Sequence, residues 1–221
     1  MKEDGYAILA ALFPQAEIQD LSETLAEEPL QRSRAGARHV LRCKGIDTLA
    51  LDPRLLDLAT EWLGAPALPF KATLFEKTSN ANWLVAWHQD TALPLTKRSD
   101  SAGWGPWSEK FGVIYAHAPA RVLERVVALR VHLDDSTADN GPLRVLPRTH
   151  TLGVLSDAQV HDHSRLIDPV ECRVAAGGVV VMRPLLIHAS SKMISDAPRR
   201  VIHFEYAASL EPAPGLRLRA A

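Results

Sequence analysis

The sequence predicts a mainly β fold of the α+β class, a sandwich or a jelly-roll barrel with helices at its N-terminal end. Near residue 67 the helical periodicity gives way to short runs rich in Val, Ile and Leu. Turn residues separate these runs, as in Asn140-Gly141-Pro142 and Gly177-Gly178. Because the runs follow one another without intervening helices, a parallel α/β sheet is not expected.

Two helices are expected in the N-terminal third. Residues 15–28 carry apolar side chains at a spacing that forms one buried helical stripe: Ile18, Leu21 and Leu25. A second helix is predicted over residues 53–63. Asp52 can cap its first turn, Pro53 suits the first helical position, and Gly64 follows its end.

Seven strands are predicted after the helices, and all are short and rich in aliphatic residues: 70–75, 83–88, 126–133, 143–146, 170–174, 179–183 and 201–207. Residues 91–121 show little periodicity, so we interpret them as a lid-like insertion over the site. Trp104 and Trp107 are its expected apolar covers. The alternative is a surface insertion whose tryptophans pack down onto the core.

The length of 221 residues fits one domain, residues 1–221. Its expected parts are a largely helical segment, residues 1–66, and a jelly-roll core, residues 67–210. The hydrophobic fraction of 47% and the charged fraction of 23% are ordinary for a folded protein. A net charge of −1 gives no electrostatic reason to expect binding to nucleic acid or to an anionic membrane.

The two cysteines, Cys43 and Cys172, are far apart and form no CxxC pair, so we expect reduced thiols. No apolar run reaches transmembrane length, and the first residues lack a signal-peptide pattern. We therefore expect a cytoplasmic protein with no membrane partner. The sequence leaves its oligomeric state open.

The run Trp87-His88-Gln89-Asp90 places a histidine and a carboxylate two positions apart at the end of a predicted strand. Residues i and i+2 of a strand point to the same face, so both side chains can reach one point. An imidazole and a carboxylate, joined by one more histidine, form the facial triad of non-haem Fe(II) oxygenases. The question is which histidine completes the set.

His188 is the strongest candidate for the third ligand. It closes the apolar run Val179–Ile187, where a titratable side chain needs a metal or a backbone carbonyl as its partner. The competing run His161-Asp162-His163 has the same spacing in polar, loop-like surroundings, and we expect it at the surface. The other histidines are expected to be structural, although His132 and His203 lie on strands that can face the site. Zinc binds the same ligand types, so residue types alone leave the metal open.

An anionic cosubstrate would need a cation inside the barrel. Arg199 and Arg200 follow His188 on the last predicted strand, and an arginine fork can pair with a carboxylate through two hydrogen bonds. The two arginines point to opposite faces of that strand, and parity alone leaves open which one faces inward. Arg130 alternates with apolar residues, so its strand has one polar face, which is either solvent or a polar barrel interior.

Three ordered segments resemble the phytanoyl-CoA dioxygenase family of Fe(II)/2-oxoglutarate oxygenases: residues 87–90, 139–150 and 177–188 with the arginine pair. The resemblance covers nearly the whole chain. It implies a double-stranded β-helix, a cupin-like jelly roll with the N-terminal helices packed outside. It also implies the site residues, which are the Fe(II) ligands His88, Asp90 and His188 and the 2-oxoglutarate contacts Arg199, Ser190, Arg130 and Thr73.

By this resemblance the protein is an enzyme that uses O₂ and 2-oxoglutarate to hydroxylate a small organic substrate, with release of succinate and CO₂. No protein acid or base beyond the metal ligands is implied. Asp90 favours hydroxylation, because related halogenases replace this carboxylate with a small residue. Arg148 departs from the family pattern, in which glycine is frequent. Two alternatives stay open, a non-oxidative cupin-type metal enzyme that does not use Arg199 and a binding protein that has lost turnover. The primary substrate is not indicated.

Overall fold

The computed structural model describes residues 2–33 and 35–221. Its strands are β1 Tyr6–Leu9, β2 Arg32–Ser33, β3 Gly36–Arg38, β4 Leu68–Lys77, β5 Val85–His88, β6 Ala92–Leu95, β7 Trp107–Lys110, β8 Val113–His117, β9 Val126–His132, β10 Leu143–Val145, β11 Val170–Cys172, β12 Val179–Met182, β13 His188–Ser190 and β14 Arg199–Ala207. Its helices are α1 Gln15–Glu27, α2 Ile46–Ala50, α3 Pro53–Leu63, α4 Ala120–Leu123 and α5 Asp157–Leu166. Short 3-10 helices cover Lys2–Asp4, Val40–Arg42 and Thr149–Leu152.

The strands form three sheets in which neighbours run antiparallel. The described part of the first has seven strands, in the order β1-β12-β9-β14-β4-β3-β2. The second has the order β11-β10-β13-β5, and the third, β6-β8-β7, belongs to the insertion. Residues of the two larger sheets line one cavity, as the sheets of a jelly roll do. The prediction of a mainly β jelly-roll fold is confirmed.

Strand β14 separates an apolar face of the large sheet from a polar one. Because side chains alternate across a strand, its residues fall into two sets, Ile202, Phe204 and Tyr206 on one face and Arg199, His203 and Glu205 on the other. The apolar set is fully buried in one cluster with residues of α1 and α3, among them Ile18 and Leu55. Each such buried side chain contributes about 1.5–3 kcal/mol. The N-terminal helices therefore cover the outer face of the sheet.

The predicted helices form with small changes at their ends. Helix α3 has the predicted bounds, with the Asp52 carboxylate accepting from the Arg54 N–H at 2.8 Å and Gly64 in the left-handed region at a φ of 68°. Helix α1 ends one residue earlier than expected, at Glu27. Among the described residues, no helix combines the length and the apolar character needed to cross a bilayer.

All seven predicted strands are present with shifted ends, but the insertion differs from the prediction. Residues 91–121 contain β6, β7, β8 and the start of α4 rather than one structureless loop. The short strands pair locally, with β8 between β6 and β7, so the order comes from hairpin pairing rather than from a long periodic pattern. Trp104 lies in an apolar cluster with Phe70 and Leu93, and Trp107 packs against that cluster.

The run His161-Asp162-His163 lies on helix α5, which corrects the expected loop. The Ser156 hydroxyl accepts from the Gln159 N–H, and the Gln159 side chain accepts from the Ser156 N–H, so a capping box starts this helix. The i, i+2 spacing that aligns side chains on a strand turns them apart on a helix. His161 and Asp162 are exposed, as expected of a surface run.

Candidate metal centre and its cavity

Two neighbouring strands bring the predicted metal ligands together. Strands β5 and β13 pair so that His88 and His188 are direct cross-strand partners, and their rings lie 4.2 Å apart between centroids. Asp90 follows β5, and its backbone N–H donates to the Pro184 carbonyl at 2.9 Å. One ligand atom from each of the three residues lies within 4.8 Å of the others. His88 and Asp90, at the end of β5, thus lie beside His188 on β13, the neighbouring strand in the sheet.

The ring nitrogens of the two histidines are oriented for metal binding. Nδ1 of His88 is 2.8 Å from the Ala86 carbonyl oxygen, and Nδ1 of His188 is 2.9 Å from that of Leu186. Because a carbonyl only accepts, each Nδ1 carries the proton and each Nε2 keeps its lone pair. The Nε2 atoms lie 3.6 Å and 3.5 Å from the oxygens of Asp90. Metal-binding histidines are commonly fixed in this tautomer by a backbone carbonyl.

Gln89, the residue between His88 and Asp90, points the other way and anchors the segment. Its amide nitrogen donates to the carbonyls of Leu185, at 2.7 Å, and Gly153, at 2.9 Å. Its amide oxygen accepts from the Leu155 N–H at 2.8 Å. Because side chains alternate along the strand, His88 and Asp90 point into the cavity and the Gln89 amide is buried on the other side. The hydrogen bonds of this amide hold the strand end in place.

The electrostatics of His188 and Asp90 favour the protonation states that a metal needs. Burial and the neighbouring His88 lower the pKa of His188 to about 3, so its ring is neutral at pH 7. Burial alone would raise the pKa of Asp90, but His188 and His88 hold it well below its usual value. Burial alone would lower the pKa of His88, but Asp90 raises it above its usual value, so a bound metal would compete with a proton there. Neutral imidazoles and an ionised carboxylate are the required ligand states. Two histidines and one carboxylate with an open cavity beside them fit a non-haem Fe(II) centre.

A cavity of about 370 Å³ opens beside the triad, and Arg199 lines it. Arg199 is 3% exposed, and its Nη2 donates to the Ser190 Oγ at 3.3 Å. Its Nε and Nη1 have no hydrogen-bond partner among the described residues. Buried guanidinium groups are rarely left unpartnered, because each lost hydrogen bond costs about 1–3 kcal/mol. The side chain therefore presents unused donors within a closed part of the molecule.

The structure resolves the parity of the arginine pair. Arg199 points into the cavity with His203 and Glu205. Arg200 points away and forms a two-pronged ion pair with Asp134, with N–O distances of 2.7 Å and 2.8 Å. The face of β14 that carries Arg200 is the face that packs against the helices, and only its end remains open to solvent.

A chain of polar contacts runs from Arg130 through His203 and Glu205 to Lys71. Nη1 of Arg130 lies 3.0 Å from Nδ1 of His203, and Nε2 of His203 lies 3.3 Å from Oε1 of Glu205. Lys71 Nζ donates to the same Oε1 at 2.7 Å. Since Arg130 can only donate, His203 accepts at Nδ1 and carries its proton at Nε2. All four side chains line the cavity.

The remaining predicted cosubstrate residues lie near this chain. Thr73 is 4% exposed, lines the cavity and is the cross-strand partner of His203. Arg130 has its guanidinium carbon 5.3 Å from the centre of the Phe75 ring. His132 is buried, but it is not among the residues that line the cavity. The predicted site residues Thr73, Arg130, Ser190 and Arg199 are thus brought to one cavity with the triad.

Neither Trp104 nor Trp107 lines the cavity, so the structure does not place the expected apolar covers over the site. Their indoles belong to the apolar packing of the insertion, because large rings are buried where an aliphatic cluster is available. The insertion reaches the cavity with Ala92 and with four polar residues instead: Thr91, Lys110, Tyr115 and His117.

Sequence reasoning missed Lys71 and Glu205, which line the cavity, and Lys77, which contacts Ser190 in its wall. A signal for the two lysines was present, because Lys71, Thr73 and Lys77 share parity on a strand whose other face is mainly apolar. Tyr115 gave no such signal. It is 1% exposed, and its hydroxyl forms a hydrogen bond with His39 Nε2 at 2.8 Å. The two residues are far apart in the sequence, so no local pattern indicates this contact.

Similar proteins support the same fold. The chain is 26% identical over 216 residues to an L-proline trans-4-hydroxylase from Streptomyces griseoviridis, which covers 83% of this chain and 72% of that protein. The epimerase SnoN, solved with Fe³⁺, alpha ketoglutarate and nogalamycin RO, has a TM-score of 0.71 at 20% identity, covering 99% of this chain and 82% of its own. HygX from Streptomyces hygroscopicus, solved with nickel and 2-oxoglutarate, has a TM-score of 0.64 at 15% identity, covering 93% and 84%.

The family comparison covers most of the sequence. The model that describes phytanoyl-CoA dioxygenase (PhyH) matches residues 1–201 of the 221. This stretch contains the His88, Asp90 and His188 triad and the inward-facing Arg199. The chain belongs to the phytanoyl-CoA dioxygenase family.

Proposed function

We propose that this protein is an Fe(II)- and 2-oxoglutarate-dependent dioxygenase that hydroxylates a small organic substrate and releases succinate and CO₂. The observation that carries the proposal is the pairing of two features in one cavity. One is a set of ligand atoms suited to Fe(II), from His88, Asp90 and His188. The other is buried Arg199, with two guanidinium nitrogens that lack partners among the described residues.

His88, Asp90 and His188 are the proposed iron ligands. When bound there, iron supplies the activation of O₂ that couples oxidative decarboxylation of 2-oxoglutarate to hydroxylation of a C–H bond. The chain contributes the ligand orientation, through the carbonyls that fix both Nδ1 atoms. It also keeps His188 neutral and Asp90 ionised at neutral pH, the states in which these two residues bind a metal.

Arg199 is the proposed partner of the distal carboxylate of 2-oxoglutarate. Its free Nε and Nη1 can donate two charge-assisted hydrogen bonds, and the Ser190 hydroxyl holds Nη2. Ser190 acts chiefly through Arg199, because its hydroxyl already donates to the Gly141 carbonyl at 2.8 Å. Arg130 lines the same cavity and adds positive charge for a dianion, and Thr73 shapes the wall beside it.

The alternatives are less well supported. A non-oxidative cupin-type metal enzyme has no need of a buried arginine with unused donors near the metal. A binding protein that has lost turnover would have no reason to keep both histidines in the metal-binding tautomer. Asp90 is present, and we propose hydroxylation rather than halogenation because a carboxylate at this position leaves no ligand site for halide.

The substrate is proposed to be a small metabolite, consistent with the cavity volume of about 370 Å³. The relative from Streptomyces griseoviridis acts on L-proline, which makes free amino acids the first compounds to examine. We propose a cytoplasmic location, supported by two cysteines that are both free. We also retain the proposal that residues 1–221 form one oxygenase domain.

Turnover of 2-oxoglutarate tests the function. The Fe(II)-loaded protein is incubated in air with 2-oxoglutarate and a panel of small metabolites, and succinate is measured together with the mass of each metabolite. We expect succinate formation to rise with at least one metabolite, which gains a single oxygen atom. Succinate that never exceeds the level of an Asp90→Ala control would contradict the proposal.

A further inference from the structure

The cavity has two ends that both carry positive charge. On β4 and β14, Lys77 and Arg199 are cross-strand partners at one end, while Lys71 and Glu205 are partners six residues further along each strand. At about 3.3 Å per residue, the two ends are about 20 Å apart along the strands. Three cations gather at the Lys71 end: Arg38, Lys71 and Lys110. The cosubstrate has a proposed place at the Arg199 end only.

Three chain segments build the Lys71 end of the cavity, which we call the outer end. Arg38 ends strand β3, Lys71 lies on β4 and Lys110 ends strand β7 of the insertion. Tyr115 on β8 lies between the two lysines, with its ring centre 5.8 Å from Lys71 Nζ and 5.1 Å from Lys110 Nζ. The hydrogen bond between its hydroxyl and His39 holds the phenol in place. The outer end is therefore a built feature rather than a set of unrelated surface lysines.

Two of the three cations form no ion pair among the described residues. Glu205 pairs with Lys71 at 2.7 Å, and both side chains are well buried. In the described part of the chain, no carboxylate lies within 4 Å of the charged atoms of Arg38 or Lys110. Burial, together with Arg38 and Lys71, lowers the pKa of Lys110, which indicates that like charges are held together here. An anion placed between them would relieve this repulsion.

We propose that Arg38 and Lys110, beside Tyr115, bind the carboxylate of the primary substrate, which is therefore a small carboxylic acid. The inference rests on the proposed function, since it assumes that 2-oxoglutarate occupies the Arg199 end. The metal triad lines the same cavity as Arg38, Lys110 and Arg199. A substrate anchored at Arg38 and Lys110 would extend its carbon skeleton toward the metal.

The position of other basic residues sharpens the proposal. Lys97 and Arg98 belong to the same insertion, but they are exposed and do not line the cavity. Arg121 lines a separate surface depression with Arg125 and Glu211. The number of basic residues in the insertion therefore does not by itself predict a binding site in the cavity. Lys97 serves as a matched control for Lys110.

The test uses paired acids and amides. The protein is loaded with Ni(II), which does not support turnover, and with 2-oxoglutarate, and binding is measured by calorimetry for free L-amino acids and their primary amides, beginning with L-proline and L-prolinamide. We expect the preferred acid to bind about tenfold or more tightly than its amide, since the amide loses a charge-assisted contact. Lys110→Met and Arg38→Met should each reduce this preference, and Lys97→Met should leave it unchanged.

The outcomes separate this inference from the function on which it rests. Failure of the wild-type protein to bind 2-oxoglutarate would count against the proposed function. Normal 2-oxoglutarate binding with no acid bound more tightly than its amide would overturn the carboxylate subsite alone. So would an equal loss of preference in Lys97→Met, or inorganic phosphate competing more strongly than acetate. Unchanged 2-oxoglutarate affinity in Lys110→Met and Arg38→Met shows that these variants are folded.

Discussion

Lys77 and Arg199 are direct partners across strands β4 and β14, and both donate to the same hydroxyl oxygen, that of Ser190. Lys77 Nζ lies 2.7 Å from this oxygen and also donates to the Ser191 carbonyl. The Ser190 hydroxyl donates in turn to the Gly141 carbonyl, so its hydrogen-bonding capacity is used. Two buried cations in contact with one neutral hydroxyl need a counter-charge, and the proposed 2-oxoglutarate dianion supplies it.

The affinity for 2-oxoglutarate should depend on pH through Lys77. Burial and the nearby Arg199 and Arg130 lower its pKa to about 7. A dianion favours the protonated lysine, so above that pKa binding must take up a proton. We expect the affinity to fall by up to about tenfold per pH unit above pH 7. Calorimetry at several pH values in buffers of different ionisation enthalpy measures both affinity and proton uptake.

Lys77→Arg is the matched variant, because an arginine stays charged and should flatten this dependence. A wild-type affinity that does not change with pH would contradict the account, as would an unaltered pH profile in Lys77→Arg. The pH dependence of stability has the opposite sign to that of 2-oxoglutarate affinity. The folded pKa lies below the unfolded value, so between about pH 7 and about pH 10 the unfolded chain holds the extra proton and stability rises with pH.

Gly141 should tolerate alanine poorly. Its φ is 70°, and a Cβ there would collide with the Ser191 carbonyl and lie 2.9 Å from Lys77 Nζ. We expect Gly141→Ala to lower the unfolding free energy by about 2–4 kcal/mol and to weaken 2-oxoglutarate binding, since Lys77 must move. Gly112 has a φ of 71° with nothing within 4 Å, so Gly112→Ala should cost only about 1 kcal/mol. Equal losses in urea denaturation would show that the close contact is unimportant.

The buried Lys71–Glu205 pair should be costly to break from one side. The two side chains are only 13% and 5% exposed. Lys71→Met leaves the carboxylate without its cation, and we expect the unfolding free energy to drop by about 3–5 kcal/mol. The double variant Lys71→Met/Glu205→Gln should recover part of that loss. A double variant whose loss equals the sum of the two single losses would indicate that the pair does not interact.

Metal binding should distinguish the two histidine runs. His188 supplies a ligand atom in the cavity, whereas His161 lies on an exposed helix. We expect His188→Ala to weaken Fe(II) binding by about a hundredfold or more and His161→Ala to leave it unchanged. Equilibrium dialysis under anaerobic conditions, with iron measured in each compartment, gives both values. An equal loss in the two variants would mean that the triad is misassigned.

Local patterns in the sequence were sufficient to predict the fold class and to single out the three residues that the structure brings together as a candidate metal site. His88 and Asp90 share strand parity, and His188 closes an apolar strand run, so each carries its own local signal. Helix α3 is marked by Asp52 and Gly64 at its two ends. These features depend on spacing of a few residues, and such spacing is visible without the tertiary structure.

Features that depend on long-range pairing could not be predicted. Arg199 points inward because the helices cover the opposite face of β14. Strand parity alone does not show which of the two faces the helices cover. Strand β8 is stabilised by pairing with β6 and β7 rather than by a periodic pattern of its own. The sequence of the insertion therefore indicated a loop. Tyr115 and Lys110 reach the cavity only through that pairing, whereas the conspicuous Trp104 does not reach it.

Binding of 2-oxoglutarate to the iron-loaded protein tests the central claim most directly. The anaerobic Fe(II) protein is titrated with 2-oxoglutarate, and the metal-to-ligand charge-transfer band is followed in wild type, Arg199→Ala and Arg200→Ala. We predict a band in wild type and in Arg200→Ala, and an affinity about thirtyfold or more weaker in Arg199→Ala, since a buried charge contact is lost. No band in wild type, or equal affinity in Arg199→Ala, would contradict the account.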